Sequence, residues 1–425
     1  MIINFLLYIC NKNLIMKYFN NIISILICLI YSLGAYSQIG RFFSSEQLSN
    51  SMISSACIAQ DSEGMIWVGT EYGLNRYDGY HFTYFLNDVN NPASLGYNLV
   101  SSLLCEDSGQ IWVGTAKGLD LYEPETNSFV HFRFPNGLKP RVSKIIRLGN
   151  QRLLVGTAGY GLYEANEKKK ELVRVQGYTT TEDDEFYSSL FEDSHGNLWK
   201  CDALNGITVN RLSGSKPRIL KSPIGTPMAF TERNGDVLIL CLHGMLIFHN
   251  GELKPYPLLI EEPNKHNIVF RTMQKDKKGN IYIGTRGHGL FVLPENTNQA
   301  RRLEYTNAEI NLNTTKVWSI FDDSQSNLWI GCQQKGLLML QGAPSDFSNW
   351  SFSAQGVSLG TPVTAICQGD NGIIWCSVQG NGIFGFDSNG KIVAHPASPA
   401  AVEFIYRDRT GTTGRNLLQV SSQIS

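Results

Sequence analysis

One place in a recurring pattern gathers the side chains best suited to hold a ligand. Tyr72, Lys117, Tyr160, Asn205, His243, Arg286 with His288, Lys335 and Gln379 each lie four to six residues after the centre of a short apolar stretch, beside a turn. Aromatic rings can stack on sugar faces, while amide, imidazole, guanidinium and ammonium groups hydrogen-bond hydroxyls; a polyol site needs that mixture. The same composition also suits loops that are polar because water covers them. Longer loops of similar character run over 86–97, 179–185 and 261–267.

Acid–base chemistry has a weaker case. Hydrolysis of a glycosidic bond wants two carboxylates about 5–10 Å apart. Asp202 falls among the ligand-type positions, but Asp61, Asp107, Asp193, Asp276 and Asp323 recur in a different turn. There an Asx-type hydrogen bond to nearby backbone explains them. No catalytic residue is assigned on this basis. Cys57, Cys105, Cys201, Cys241, Cys332, Cys367 and Cys376 show no C-x-x-C and no His/Cys ligand spacing, so the sequence implies no metal and no cofactor. They read as buried thiols, with one pairing left open.

The elements that must position these residues are strands. Asp61 to Gly73 reads D-S-E-G-M-I-W-V-G-T-E-Y-G: a polar turn, an apolar strand centred on Trp67, a Gly-Thr pair and a second turn. Positions equivalent to Trp67 are Trp112, Leu154, Trp199, Leu238, Tyr282, Trp329 and Trp375, at intervals of 45, 42, 45, 39, 44, 47 and 46 residues. A meander at this period predicts an all-β chain built of four-stranded antiparallel blades. Seven blades over 38–346 would form one β-propeller, with 347–412 beginning an incomplete second one and 413–425 departing from the pattern. In the second repeat the strands are expected at 99–105, 111–115, 119–122 and 129–134, innermost to outermost. Arg41, Phe42 and Phe43 are expected to supply the outer strand of the blade carrying Trp329, because an open ring leaves sheet edges bare. The tryptophan column reads as packing between blades, where one ring buries ~150–250 Å², a gross ~4–6 kcal/mol.

Bulk properties narrow the function classes. The chain has 425 residues and a net charge of −1, which gives no basic footprint for nucleic acid or an anionic membrane. Forty glycines, 11% aromatics and only 17% charged residues suit a turn-rich β protein. Lys17, the apolar run 22–33 and Ala35-Tyr36-Ser37 have the order of a secretory signal peptide cleaved near Ser37, whether translation starts at Met1 or Met16. That reading makes the mature protein periplasmic with no membrane span; an uncleaved anchor is the alternative.

The repeat D-S-x-G-x-I-W-V-G-T-x-x-G-L, with N-P-A-S-L-G-Y-N-L-V-S-S-L at 91–103, resembles the two-component regulator propeller family. The resemblance implies the sensor region of a hybrid histidine kinase whose propellers bind oligosaccharides from glycan breakdown. It implies a non-enzymatic chain here, since the kinase, receiver and DNA-binding parts are absent, and a truncated or frame-shifted product of a longer gene. It leaves a homodimer through the propeller or through absent C-terminal domains open. Two alternatives carry different chemistry: a scaffold for a protein partner, and a polysaccharide hydrolase or lyase.

Overall fold

The computed structural model describes residues 40–175, 187–202, 206–211, 217–260, 267–342, 361–369, 372–387, 391–396, 402 and 405. The proposed leader, Asn205, the loop 179–185, most of 261–267, the stretch 347–352, all but one residue of 404–412 and the tail 413–425 lie outside those residues. The chain divides into two compact units, Met1–Ala343 and Pro344–Ser425.

The first unit contains seven antiparallel meanders among its described residues. In the second repeat the strands are Val100–Cys105, Ile111–Thr115, Gly118–Glu123 and Ser128–Phe132, paired in that order. Trp112 stands opposite Leu104 on one side and Leu121 on the other. The outer strand ends sooner than its F-V-H-F-R-F alternation suggests, because the Arg133 N–H donates to Lys170 of the next meander and Pro135–Gly137 forms a 3-10 turn. The sixth sheet gains a fifth strand, Leu259–Ile260, parallel to Gln299–Leu303.

Close approach between sheets explains the glycine that follows the marker strand. A Cβ built on Gly69 would come within 2.5 Å of Val100, on Gly114 within 2.6 Å of Val142, and on Gly284 within 2.8 Å of Val317. Each partner is the branched residue that opens the next inner strand, so glycine lets one sheet seat directly on its neighbour. On Gly331 the same atom would meet Ile53 at 3.0 Å, which joins the seventh sheet to the first. The inner strands contact one another in sequence, and Val317–Asp322 returns to Ile53–Gln60.

The rings fill what the glycines leave. Trp67 and Tyr122 of the next sheet have centroids 4.9 Å apart, and Phe43 stacks on Trp329 at 6.0 Å. The marker indoles also find acceptors: Trp67, Trp199 and Trp329 donate Nε1–H to Asp61, Asp193 and Asp323 at 2.6, 2.7 and 2.8 Å. The other carboxylate oxygen accepts backbone N–H groups of the turn, as at Met65 and Asn197. In the second repeat Glu106, not Asp107, takes the indole proton of Trp112 at 2.7 Å. Glu106 stands six residues before its indole, as Asp61, Asp193 and Asp323 do before theirs, and Asp107 is one residue out of that register.

Gly40–Phe43 pairs antiparallel with Gly336–Leu340, setting Arg41 opposite Met339 and Phe42 opposite Leu338. The first described strand thus covers the edge of the seventh sheet, as edge logic requires.

Among its described residues the second unit holds one meander: Val363–Gln368, Ile374–Val378, Gly382–Phe386 and Ile392–Ala394. Cys376, Val378, Phe384 and Phe386 form its core, and Ile383 packs with Val402 and Ile405.

Candidate functional site

A cleft of 510 Å³ opens where the loop after the first sheet meets the second sheet. Its wall combines the loop residues Asn87, Asp88 and Asn91 with Lys117 from the turn between second and third strands, and with His131 and Arg133 from the outer strand. Polar side chains from three separate segments therefore converge on one concavity.

The loop is shaped from within. Asn87 donates Nδ2–H to the Leu95 carbonyl at 2.7 Å, and the Asp88 N–H donates to Ser94 Oγ at 2.9 Å. Leu95 is fully buried in the adjoining core, so one apolar residue anchors a polar segment. Gly96 then passes over Asp120: its N–H donates to Oδ2 at 2.8 Å, and a Cβ there would lie 2.8 Å from both carboxylate oxygens. Only glycine permits that approach.

Asp120 also holds His131. Nδ1 of the ring lies 2.7 Å from Asp120 Oδ1, and Nε2 lies 2.9 Å from the Pro92 carbonyl. Both partners accept, so the two contacts are both hydrogen bonds only in the imidazolium form, in which both ring nitrogens donate. The hydrogen bond to Asp120 raises the His131 pKa above its ordinary value, against a smaller opposing effect of burial. A buried carboxylate committed to a histidine and a backbone N–H positions the loop; it is poorly placed to shuttle protons to a substrate. Lys117 lies with Nζ 4.4 Å from the Tyr97 ring centroid, which fixes an ammonium beside an aromatic face at the lip.

Of the nine positions that the sequence nominates, Lys117 lines this cleft. Tyr72 and Tyr160 are exposed on the corresponding turns of the first and third sheets, as are His243 and Lys335 on those of the fifth and seventh. His288 has a buried Nδ1 with no hydrogen-bond partner. Arg286 lies close enough to Arg271 for its charge to lower the Arg271 pKa, after the larger effect of burial. Asn205 is outside the described residues, and Gln379 belongs to the second unit. Asp120 and His131 escape sequence reading because they sit inside strands; the one signal is an acid at Asp120 where the first repeat has Asn75, itself fully buried and bonded to the Ser49 N–H.

Other chemistry is sparse. No group of three or more His, Cys, Asp or Glu able to hold a metal occurs among the described residues. No disulfide forms among the described cysteines 57, 105, 201, 241, 332, 367 and 376, and burial pushes the Cys57 and Cys332 thiols up to about 12, far from a reactive thiolate at neutral pH. No helix among the described residues is long and apolar enough to cross a membrane.

A family model described as two component regulator propeller matches residues 47–72 and 311–334, the loop and marker strand of the first and seventh sheets. Those two stretches are similar to two-component regulator propeller repeats. Among solved structures, the extracellular domain of a hybrid two component system from B. thetaiotaomicron superposes with a TM-score of 0.61 at 21% identity, over 88% of this chain and 51% of that one. A second extracellular domain from the same organism gives 0.57 at 19% identity, over 88% and 50%. Virginiamycin B lyase from Staphylococcus aureus gives 0.56 at 14% identity, over 72% and 99%. At these identities the likeness establishes the propeller fold alone. The chain spans about half the length of the two extracellular domains. No curated protein matches it.

Proposed function

We propose that this chain is an extracytoplasmic ligand-sensing propeller of a hybrid two-component regulator, binding a glycan-derived oligosaccharide and passing the signal to a kinase outside the chain. In this reading 1–37 is a signal peptide, 38–346 is one seven-bladed wheel, and 347–412 begins a second. The observation that supports it is the 510 Å³ cleft, which sets polar side chains from a loop with its own internal hydrogen bonds beside apolar surface from Phe132, Phe134 and Leu138. A preformed concavity with a few placed polar groups on an apolar wall suits the hydroxyls and ring faces of a sugar, because little order must be imposed on binding. Its two acids are otherwise engaged: Asp120 holds His131 and Gly96, while Asp88 accepts the Asn90 N–H. That weighs toward binding over hydrolysis.

Calorimetry of the full chain against a panel of neutral and acidic oligosaccharides tests the reading. Binding should appear for one class and weaken about tenfold on Lys117→Ala, the loss of one hydrogen bond from a charged donor. Absence of heat with every member of the panel would refute it. A ligand-independent protein partner captured by the same face would favour the scaffold alternative.

A further inference from the structure

The axis of the first unit holds a second cavity, of 430 Å³, lined by inner-strand residues of all seven sheets. Its charged lining consists of Lys144, Arg271 and Lys275, with Ser189, Thr231 and Ser319 between them, and it includes no Asp or Glu. Lys275 is committed, donating to the Glu232 carbonyl at 2.6 Å. Lys144 and Arg271 are not: no ion pair among the described residues involves either.

Arg271 is the more telling of the two. Its guanidinium lies 4.5 Å from the Trp318 ring centroid, which fixes its plane, while its Nε–H is buried without an acceptor. The Trp318 Nε1–H is likewise buried and unpartnered. Elsewhere in this ring the indoles of Trp67, Trp112, Trp199 and Trp329 each meet a carboxylate, so an orphaned one beside an orphaned arginine N–H stands apart. Buried donors without acceptors are rare and call for an explanation. Burial lowers the pKa of both Lys144 and Arg271, and Arg286 at the adjoining turn adds further positive charge. Stripping water from cations costs free energy that an incoming anion would return.

We propose that this axial cavity is an anion-binding site, taking the carboxylate or sulfate group of an acidic saccharide between Arg271 and Lys144. As a statement about saccharides it rests on the sensing function proposed above; as a statement about oxyanions it stands on the cavity. A planar carboxylate can accept from the guanidinium fork, and the ammonium supplies a second charge from another sheet.

The test uses the full chain with three probes: sodium sulfate, galacturonic acid and galactose. Calorimetry and ligand-induced thermal shift should show binding of sulfate and galacturonic acid, weakened by added salt, and none of galactose at the same concentration. Arg271→Gln and Lys144→Met should each reduce affinity about tenfold or more, and Arg271→Lys should retain part of it. If Arg271→Gln does not fold, Lys144→Met decides. Sulfate binding lost in the variants, with no saccharide bound, would uphold the anion site and remove its link to sugars. A neutral oligosaccharide bound while sulfate and galacturonic acid are not would overturn the anion site and leave the sensing function standing. Anion binding unchanged in both variants would overturn it as well.

Discussion

The same repeat is written in both units, and its fate differs. In the first unit Trp67, Trp112 and Trp199 are at most 1% exposed, each lying between two sheets. In the second unit Trp375 is only half-buried, and Ile366 on the neighbouring strand is 66% exposed. The acid six residues before the indole is Gly369 there, and Ser377 stands where Gly69, Gly114 and Gly331 seat the next sheet. Ser377 fills that space with its own hydroxyl, 2.6 Å from Thr364 Oγ1. A meander hides one face unaided; the other face, and the residue choices that serve it, belong to a neighbour.

The largest test of that contrast is tryptophan removal. In urea unfolding of the full chain, Trp67→Ala should cost the first unit about 3–5 kcal/mol, whereas Trp375→Ala should cost the second unit well under half of that. Equal losses would break the comparison. Next comes Gly331→Ala, which forces a methyl against Ile53 at the junction of seventh and first sheets. Overpacking of this kind costs about 1–3 kcal/mol, and Ser377→Gly should bring no matching gain.

Removing an indole's acceptor should rank third. Asp193→Ala leaves the buried Trp199 N–H unsatisfied and strips the turn of its acceptor, for about 1–3 kcal/mol. Asp107→Ala should be neutral, because Glu106 does that work in the second repeat. The smallest effect concerns His131. Its folded pKa is raised, so its contribution is complete below the ordinary histidine pKa and fades as pH rises through the folded value. With the ring half-exposed, about 1 kcal/mol is at stake after screening. Hydrogen exchange at Gly96 and Ala93 should therefore quicken at alkaline pH in the native chain and be insensitive to pH over that range in His131→Gln, apart from the intrinsic exchange rate.

Much of this was legible in the sequence, because a fixed period repeats one local solution. Trp67 and its equivalents, the Asx turn of Asp61 and the edge strand at Arg41–Phe43 all follow from local pattern plus the rule that edges must be covered. The loop over 86–97 was visible as a polar insertion. What stayed hidden depends on where two segments meet. His131 sits in a strand whose alternation reads only as half-exposed, and Lys144 occupies a column held elsewhere by Ser102, Ser189 and Ser319, with nothing local to mark it as axial. The turn positions, conversely, were legible as a class, and of them Lys117 lines the cleft with Asp120 and His131.

The pairing of Gly40 with Leu340 bridges 300 residues of chain (340 − 40). During synthesis the seventh sheet must therefore emerge from the ribosome long after its sealing strand has been made. Until then Gly40–Phe43 is an unpaired ribbon with two phenyl groups, and the nascent circle is open. Topologies of such long range close late and slowly. Chaperone cover of that N-terminal ribbon would then govern how much chain reaches the closed form.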